Sequence, residues 1–280
     1  MRHDGGMAVT SFVRLPAPRG TEHLVEHVWV LRGEATAEPW RALLVPNARP
    51  SVVVCLGEPG ERIEPLDHRR TPNGGTVAGV RRLPVVLEQS GEAWYVGARL
   101  RAYGLASLGL DDLLVDDAAP LDVLGDARAL TQAVRAGADD EERAATLARS
   151  LAESVADGAV PADRVAMIDR AVAVLAVRRG LVTATDLARA VGVPAPILDT
   201  AVDEFVGVGL DEFTAISRFH HFVGGHGGPE QGRAAVRVLA RYRLTGRTPR
   251  ETLRFTGLTP TRYAEVRDAV TALLAPAPVS

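Results

Sequence analysis

The chain of 280 residues contains one cysteine, Cys55, and no lysine, so all 32 of its basic side chains are arginine. A lone thiol excludes an intramolecular disulfide and any multi-cysteine metal site, and it fits a reducing compartment, so a cytoplasmic location is expected. Long apolar runs are missing as well: charge interrupts each one well short of a membrane span. The start of the chain, with Arg2, His3 and Asp4, has no apolar stretch of signal-peptide length, so neither export nor a membrane partner is expected. No phosphate-binding glycine loop, Gly-x-Ser-x-Gly elbow or His-Glu-x-x-His pair occurs, which leaves catalysis without a visible carrier and implies neither enzyme activity nor a cofactor. Net charge is small, −3 from 32 basic and 35 acidic residues. Any contact with nucleic acid must therefore come from a local patch.

What the sequence does contain is enough apolar material, 46%, for two ordinary domains. From Phe12 to about Arg101 the apolar residues come in short β-branched runs bounded by Gly, Pro and Asn. Examples are Val28–Leu31 before Gly33, Leu43–Val45 before Pro46-Asn47, and Ser51–Leu56 before Gly57. Such runs read as strands, and several at this spacing suggest a small barrel or sandwich. Arg69 to Gly75 reads as a turn, because Asn-Gly and Gly-Gly tolerate positive φ. Strands resume at Thr76 and at Ala93–Gly97. After Leu105 helix formers take over. Between Asp126 and Ala156, Leu130, Val134, Leu147, Leu151 and Val155 recur at helical spacing, with a break near Gly137–Asp140. Gly158 and Pro161 mark the next boundary. The expected fold class is α+β: a β-rich, barrel-like domain over residues 1–125, a helical linker and possible homodimer surface over 126–160, and an all-α domain over 161–280.

The all-α part carries the clearest local pattern. Val165, Ile168, Ala171, Val172 and Leu175 make an amphipathic helix closing at Arg178-Arg179-Gly180. Thr183 or Thr185 caps a second helix that ends at Gly192, and a third runs from about Pro194 to Val206. Short helix, glycine turn and second helix, with Leu187, Ala188, Val191, Val193 and Leu198 packed, is a helix-turn-helix arrangement. Asp186–Val193, Leu198, Phe205, Gly207, Gly209–Phe213 and Ile216–Phe219, together with Val96–Gly104 and Ala119–Gly125 upstream, resemble the AraC family of transcription regulators. That resemblance implies two helix-turn-helix units joined by a long helix, duplex DNA as partner, and an N-terminal domain that senses a small-molecule effector.

Charge distinguishes the two units. Between Arg189 and Arg218 there is no basic residue, whereas Asp199, Asp203, Glu204, Asp211 and Glu212 are acidic. The recognition helix of the first unit would repel phosphate, which reads as a structural element or a protein contact rather than a DNA reader. Beyond Gly228 the sign reverses. There Thr248-Pro249-Arg250-Glu251 starts a helix, Phe255–Leu258 supplies a turn, and Thr259-Pro260-Thr261-Arg262 opens the last helix. Thr259, Thr261 and Arg262 would then stand at a helix N-terminus where base edges are read, with Arg262 the best candidate. Arg247, Arg250, Arg254 and Arg267 would meet phosphates; the competing reading is an arginine-rich solvated face. The glycine-rich stretch Gly224–Gly228 departs from a continuous linker helix. A rival function follows from these departures: a protein-interaction regulator that no longer binds specific DNA.

Other constellations are weaker. His23 and His27, four apart, could share a helical face and hold a metal, although no third ligand cluster accompanies them and a solvated helical turn before Trp29 is the simpler reading. His220 and His221, being adjacent, cannot serve one ligand from a helix, and are expected on an exposed or interface surface beside Arg218. Cys55 reads as a buried small hydrophobe. Trp29, Trp40 and Trp94 read as core packing in preference to the wall of a ligand cavity.

Overall fold

The computed structural model describes residues 9–110, 112–156, 158–223, 252 and 256–274. Its N-terminal part is sheet-rich and its C-terminal part helical. Among the described residues ten strands are formed: β1 (Val9–Pro16), β2 (Val25–Gly33), β3 (Trp40–Leu44), β4 (Ser51–Cys55), β5 (Gly60–Ile63), β6 (Arg70–Asn73), β7 (Gly75–Ala78), β8 (Val85–Gln89), β9 (Ala93–Leu100) and β10 (Ala118–Pro120). They make a six-stranded sheet in the order β1-β2-β9-β4-β7-β10 and a four-stranded sheet in the order β3-β8-β5-β6, with antiparallel pairing throughout. The expected turn over 69–75 is narrower than its composition suggested. Residues 70–73 pair with β5 as the edge strand β6, where Pro72 costs no ladder bond, and only Gly74 separates β6 from β7.

Side-chain alternation gives the larger sheet two different faces. Val28, Val30, Val52, Val54, Val77, Val96 and Ala98 form one apolar core with Val134, Ala144, Leu147, Ala148 and Leu151. The last five belong to helices α2 (Ala127–Ala136) and α3 (Asp140–Glu153). Asp126 and Asp139 start these helices by accepting hydrogen bonds from the backbone N–H groups of Ala129 and Glu142. Arg32 of β2 clamps the first turn of α3 through a bidentate pair with Asp140 at 2.6 and 3.0 Å. The apolar stripe that the sequence left open as a dimer surface is thus largely covered by the chain's own sheet.

A short helix α1 (Gly104–Ser107) follows β9, and the helical part continues with α4 (Ala162–Arg178), α5 (Ala184–Val191), α6 (Ala195–Val206) and α7 (Leu210–Val223). The expected punctuation is present: Arg179 is left-handed (φ 52°), Thr183 caps α5 by accepting from Asp186 N, and Gly192 stops α5 with φ 83°. Leu187, Ala188, Val191, Leu198, Val202 and Phe213 share one core with Ile168, Ala171 and Leu175 of α4. Arg218 of α7 donates to the carbonyls of Gly180 (2.8 Å) and Val182 (2.9 Å), tying α7 to the loop before α5. One acidic residue of α6 contributes to the fold itself, since Asp199 accepts from Leu210 N at 2.7 Å and so caps α7.

The last helix, α8 (Pro260–Leu274), lies against the β-rich part. Tyr263, Val266 and Val270 pack with Leu43, Ile63 and Val86 of the smaller sheet and with Phe219 of α7. Arg41 of β3 donates to the Leu273 carbonyl at 2.6 Å, near the C-terminal end of α8. The smaller sheet is therefore covered on one face by α8 and turns its other face toward the larger sheet.

Candidate functional site

Between the two sheets lies a cavity of about 130 Å³. Its wall follows the period of two along each strand. Trp29 and Leu31 come from β2, Ser51 and Val53 from β4, Thr76 and Ala78 from β7, and Tyr95 and Arg99 from β9; Trp40, Leu44, Arg62, Asn73, Leu87 and Gln89 come from the smaller sheet. His220 of α7 completes the lining from the helical part. Trp29 is opposite Gly97 across the β2–β9 pair, and a Cβ at that glycine would land inside the indole ring. The absence of a side chain at residue 97 therefore sets where the Trp29 ring lies.

Part of the lining is fully bonded. The Tyr95 hydroxyl donates to Gln89 Oε1 (2.8 Å) and accepts from Gly60 N (3.0 Å), while Gln89 Nε2 donates to the carbonyls of Glu58 and Gly91. Arg81 pairs with Glu64 at 2.7 Å, and Arg49 with Glu26 at 2.5 Å. Glu88 is held from the far side of its sheet by Arg41 and Arg70, which keep its carboxyl below the ordinary range against the opposing effect of burial.

Four other atoms of the lining are not bonded. Trp40 Nε1, Arg62 Nη2, Thr76 Oγ1 and Arg99 Nε are shielded from solvent and have no hydrogen-bond partner. Arg62 is 5% exposed, and among the described residues neither it nor Arg99 forms an ion pair. Burial pulls both guanidinium pKa values down to about 10, with Arg81 adding to it at Arg62 and Arg49 and Arg14 at Arg99, against a partial offset from Glu64 and Asp117 at Arg62 and from Glu26 at Arg99. Both remain cationic at neutral pH.

Where the cavity approaches the helical part, two histidines are held neutral. Arg14 donates to His27 Nδ1 at 3.1 Å, which fixes the His27 proton on Nε2, and that atom is buried without a partner. Burial first, then Arg99 and Arg14, lowers its pKa to about 3. His220 uses Nδ1–H to donate to the Pro46 carbonyl at 3.0 Å, and burial followed by Arg99 lowers its pKa to about 4.

The sequence expectations fare unevenly at this site. Trp29 and Trp40, read as core packing, line the cavity, whereas Trp94 lies under the Arg32 guanidinium, 4.2 Å from the ring centroid. His27 sits in a strand rather than on a helical turn with His23. No group of three or more His, Cys, Asp or Glu side chains able to hold a metal occurs among the described residues. Cys55 is buried, and burial raises its thiol pKa. His220 lies on the seam as an interface residue.

Of the residues expected to contact DNA, Arg247, Arg250 and Arg254 lie outside the described residues, as does the Gly224–Gly228 stretch. Thr259 accepts from Arg262 N at 3.3 Å, in the manner of an N-cap for α8. Thr261 and Arg262 are exposed. Arg262 pairs with Glu265 (3.1 Å) and Arg267 with Asp268 (2.8 Å). Arg262 also borders two depressions shared with Asp116 and Glu212 and with Glu64 and Asp67. The described arginines of α8 thus have carboxylates nearby.

No family model and no curated protein matches the sequence. Among solved structures, two of ToxT from Vibrio cholerae resemble this chain. The one from strain O395 has a TM-score of 0.37 and 8% identity over 92% of this chain and 93% of the other. The second, determined at 1.65 Å, has a TM-score of 0.38 and 8% identity over 92% and 99%. Likeness at that level carries no argument about the chemistry of the cavity or of α8. No helix among the described residues is long and apolar enough to cross a membrane.

Proposed function

We propose that the chain is a transcription regulator of the AraC type: a β-rich domain that senses a small molecule, coupled to a helical domain that binds duplex DNA, and no enzyme. The observation that carries the regulator reading is the α5–Gly192–α6 unit. Its cap, left-handed stop and small Ala188 within a shared core are what a helix-turn-helix requires. The cavity supports the sensing half. Because His220 of α7 forms part of its wall, a ligand there would touch the helical part directly and favour one arrangement of the two.

Direct DNA contact falls to the arginine-rich second unit. The outer face of α6 offers Ile197, Thr200, Asp203 and Glu204, all exposed and none basic. That face, with Ile197 43% exposed, is also what favours the second reading, a regulator acting through protein contacts. Fluorescence anisotropy with a duplex from the chain's own promoter region separates the two. Specific binding should weaken steeply with salt, by a log–log slope of about −0.9 per phosphate neutralised, and Arg262→Ala should weaken it further. No binding at low salt overturns the DNA-binding reading.

A further inference from the structure

We propose that the cavity between the sheets takes a small carboxylate with a compact apolar body, bound through Arg62 and Thr76 with support from Trp40 and Arg99. The inference rests on the sensing half of the proposed function and specifies its ligand.

Three features of the wall lead to this class. The unsatisfied atoms are an indole N–H, two guanidinium N–H groups and one hydroxyl. The first three can only donate and the hydroxyl can donate, so an acceptor-rich group satisfies all four. Charge points the same way. Four arginines border the cavity, and ion pairs with Glu26 and Glu64 account for Arg49 and Arg81. Glu88 is engaged by Arg41 and Arg70. Arg62 and Arg99 remain, one from each sheet, and neither has a carboxylate paired to it, so the cavity holds two buried guanidinium groups without an ion-pair partner. A buried guanidinium without a partner is costly to keep for stability alone, and an incoming anion supplies the missing partner.

Size and apolar lining set the rest of the molecule. A dry cavity of about 150 Å³ admits benzene, and this one, at about 130 Å³, has room for a single ring or a short chain. Leu31, Leu44, Val53 and Leu87, with the Trp29 and Trp40 rings, would enclose such a body. Inorganic phosphate would meet the charge but leave that apolar surface without contacts.

The test uses the full-length protein, thermal melts and titration calorimetry, without DNA, so that failure of this inference and failure of DNA binding are read separately. The probes are benzoate, hexanoate, benzamide and inorganic phosphate, each up to millimolar concentration. At least one of the two carboxylates should raise the melting temperature, with benzamide and phosphate having little effect. Arg62→Met, which keeps the stem and removes the charge, should weaken carboxylate binding about tenfold or more without lowering the melting temperature of the unliganded protein. Thr76→Val, which preserves shape, should weaken binding several-fold and serves if Arg62→Met fails to fold. Benzamide binding as tightly as benzoate, phosphate binding as tightly as the carboxylates, or no carboxylate binding at all would each overturn the proposal.

Discussion

Between α4 and α7 the buried side chains include Ile168, Leu175, Leu187, Leu198, Val202 and Phe213. Thr214 is buried with them and donates to the Leu210 carbonyl. Between the two sheets, Arg62, Asn73, Thr76 and Gln89 are buried as well. The helical interior meets the ordinary requirement that a buried polar group be bonded. The sheet interior meets it along Tyr95 and Gln89 and departs from it at Trp40, Arg62, Thr76 and Arg99. Among the described residues, His27 Nε2, Thr36 Oγ1, Trp94 Nε1 and Arg143 Nε are unpartnered elsewhere, but only at the cavity do four such atoms line one space.

Arg81 provides the sharpest contrast. It resembles Arg62 in burial but is bonded to Glu64 and to the Asp116 carbonyl. Arg81→Met should cost about 3 kcal/mol or more, because it leaves Glu64 enclosed without its partner, while Arg62→Met should cost little. Urea unfolding of both variants checks the contrast, and equal losses would show that Arg62 has a structural partner after all.

Acid provides the next test. His27 and His220 are held neutral, with pKa values of about 3 and about 4, whereas in the unfolded chain they titrate near 6.5. As the pH falls below 6.5 the unfolded state takes up protons that the folded state refuses, so stability drops progressively until the folded values are reached. Above pH 7 neither histidine contributes a slope. All three tryptophans lie in the β-rich part, so their fluorescence during melts at pH 7 and pH 5 reports this loss where it originates. His27→Asn should flatten the dependence. The smallest effect belongs to the helical part: Thr183→Ala removes the cap on α5 and should cost about 1 kcal/mol, seen as a modest shift in the melt followed by circular dichroism, with carboxylate binding unchanged.

Much of the helical part was legible because its signals are local: Thr183 as cap, Gly192 as stop, and apolar residues at helical spacing between them. Of the larger sheet, β2, β4, β7 and β9 were legible for the same reason, whereas the three-residue β10 was not. The edge strand β6 was obscured because Pro72 and Asn73 are turn formers in any local reading, and only pairing with β5 overrides them. Arg62 was hidden by its setting. Glu61-Arg62-Ile63 looks like a half-exposed strand with arginine toward solvent, yet α8 covers the Ile63 side and the second sheet encloses the Arg62 side. One signal could have exposed the cavity. Val52 and Val54 alternate with Ser51 and Val53, and Val77 with Thr76 and Ala78, so one face is uniformly apolar while the other mixes small, polar and apolar residues. In a sheet covered on both faces, the mixed one is where a cavity belongs.

The packing of α8 on the smaller sheet also has a consequence for how the chain comes into being. Leu43, Ile63 and Val86 are made early, whereas the Tyr263, Val266 and Val270 that cover them are made near the end. At bacterial and eukaryotic synthesis rates, the 177 residues that follow Val86 up to Tyr263 take roughly 9 to 35 s to emerge. For that interval the newborn sheet presents an apolar face to water. Guarding it falls to chaperones, or to the Arg41, Glu61, Arg70 and Glu88 charges interspersed on the same face.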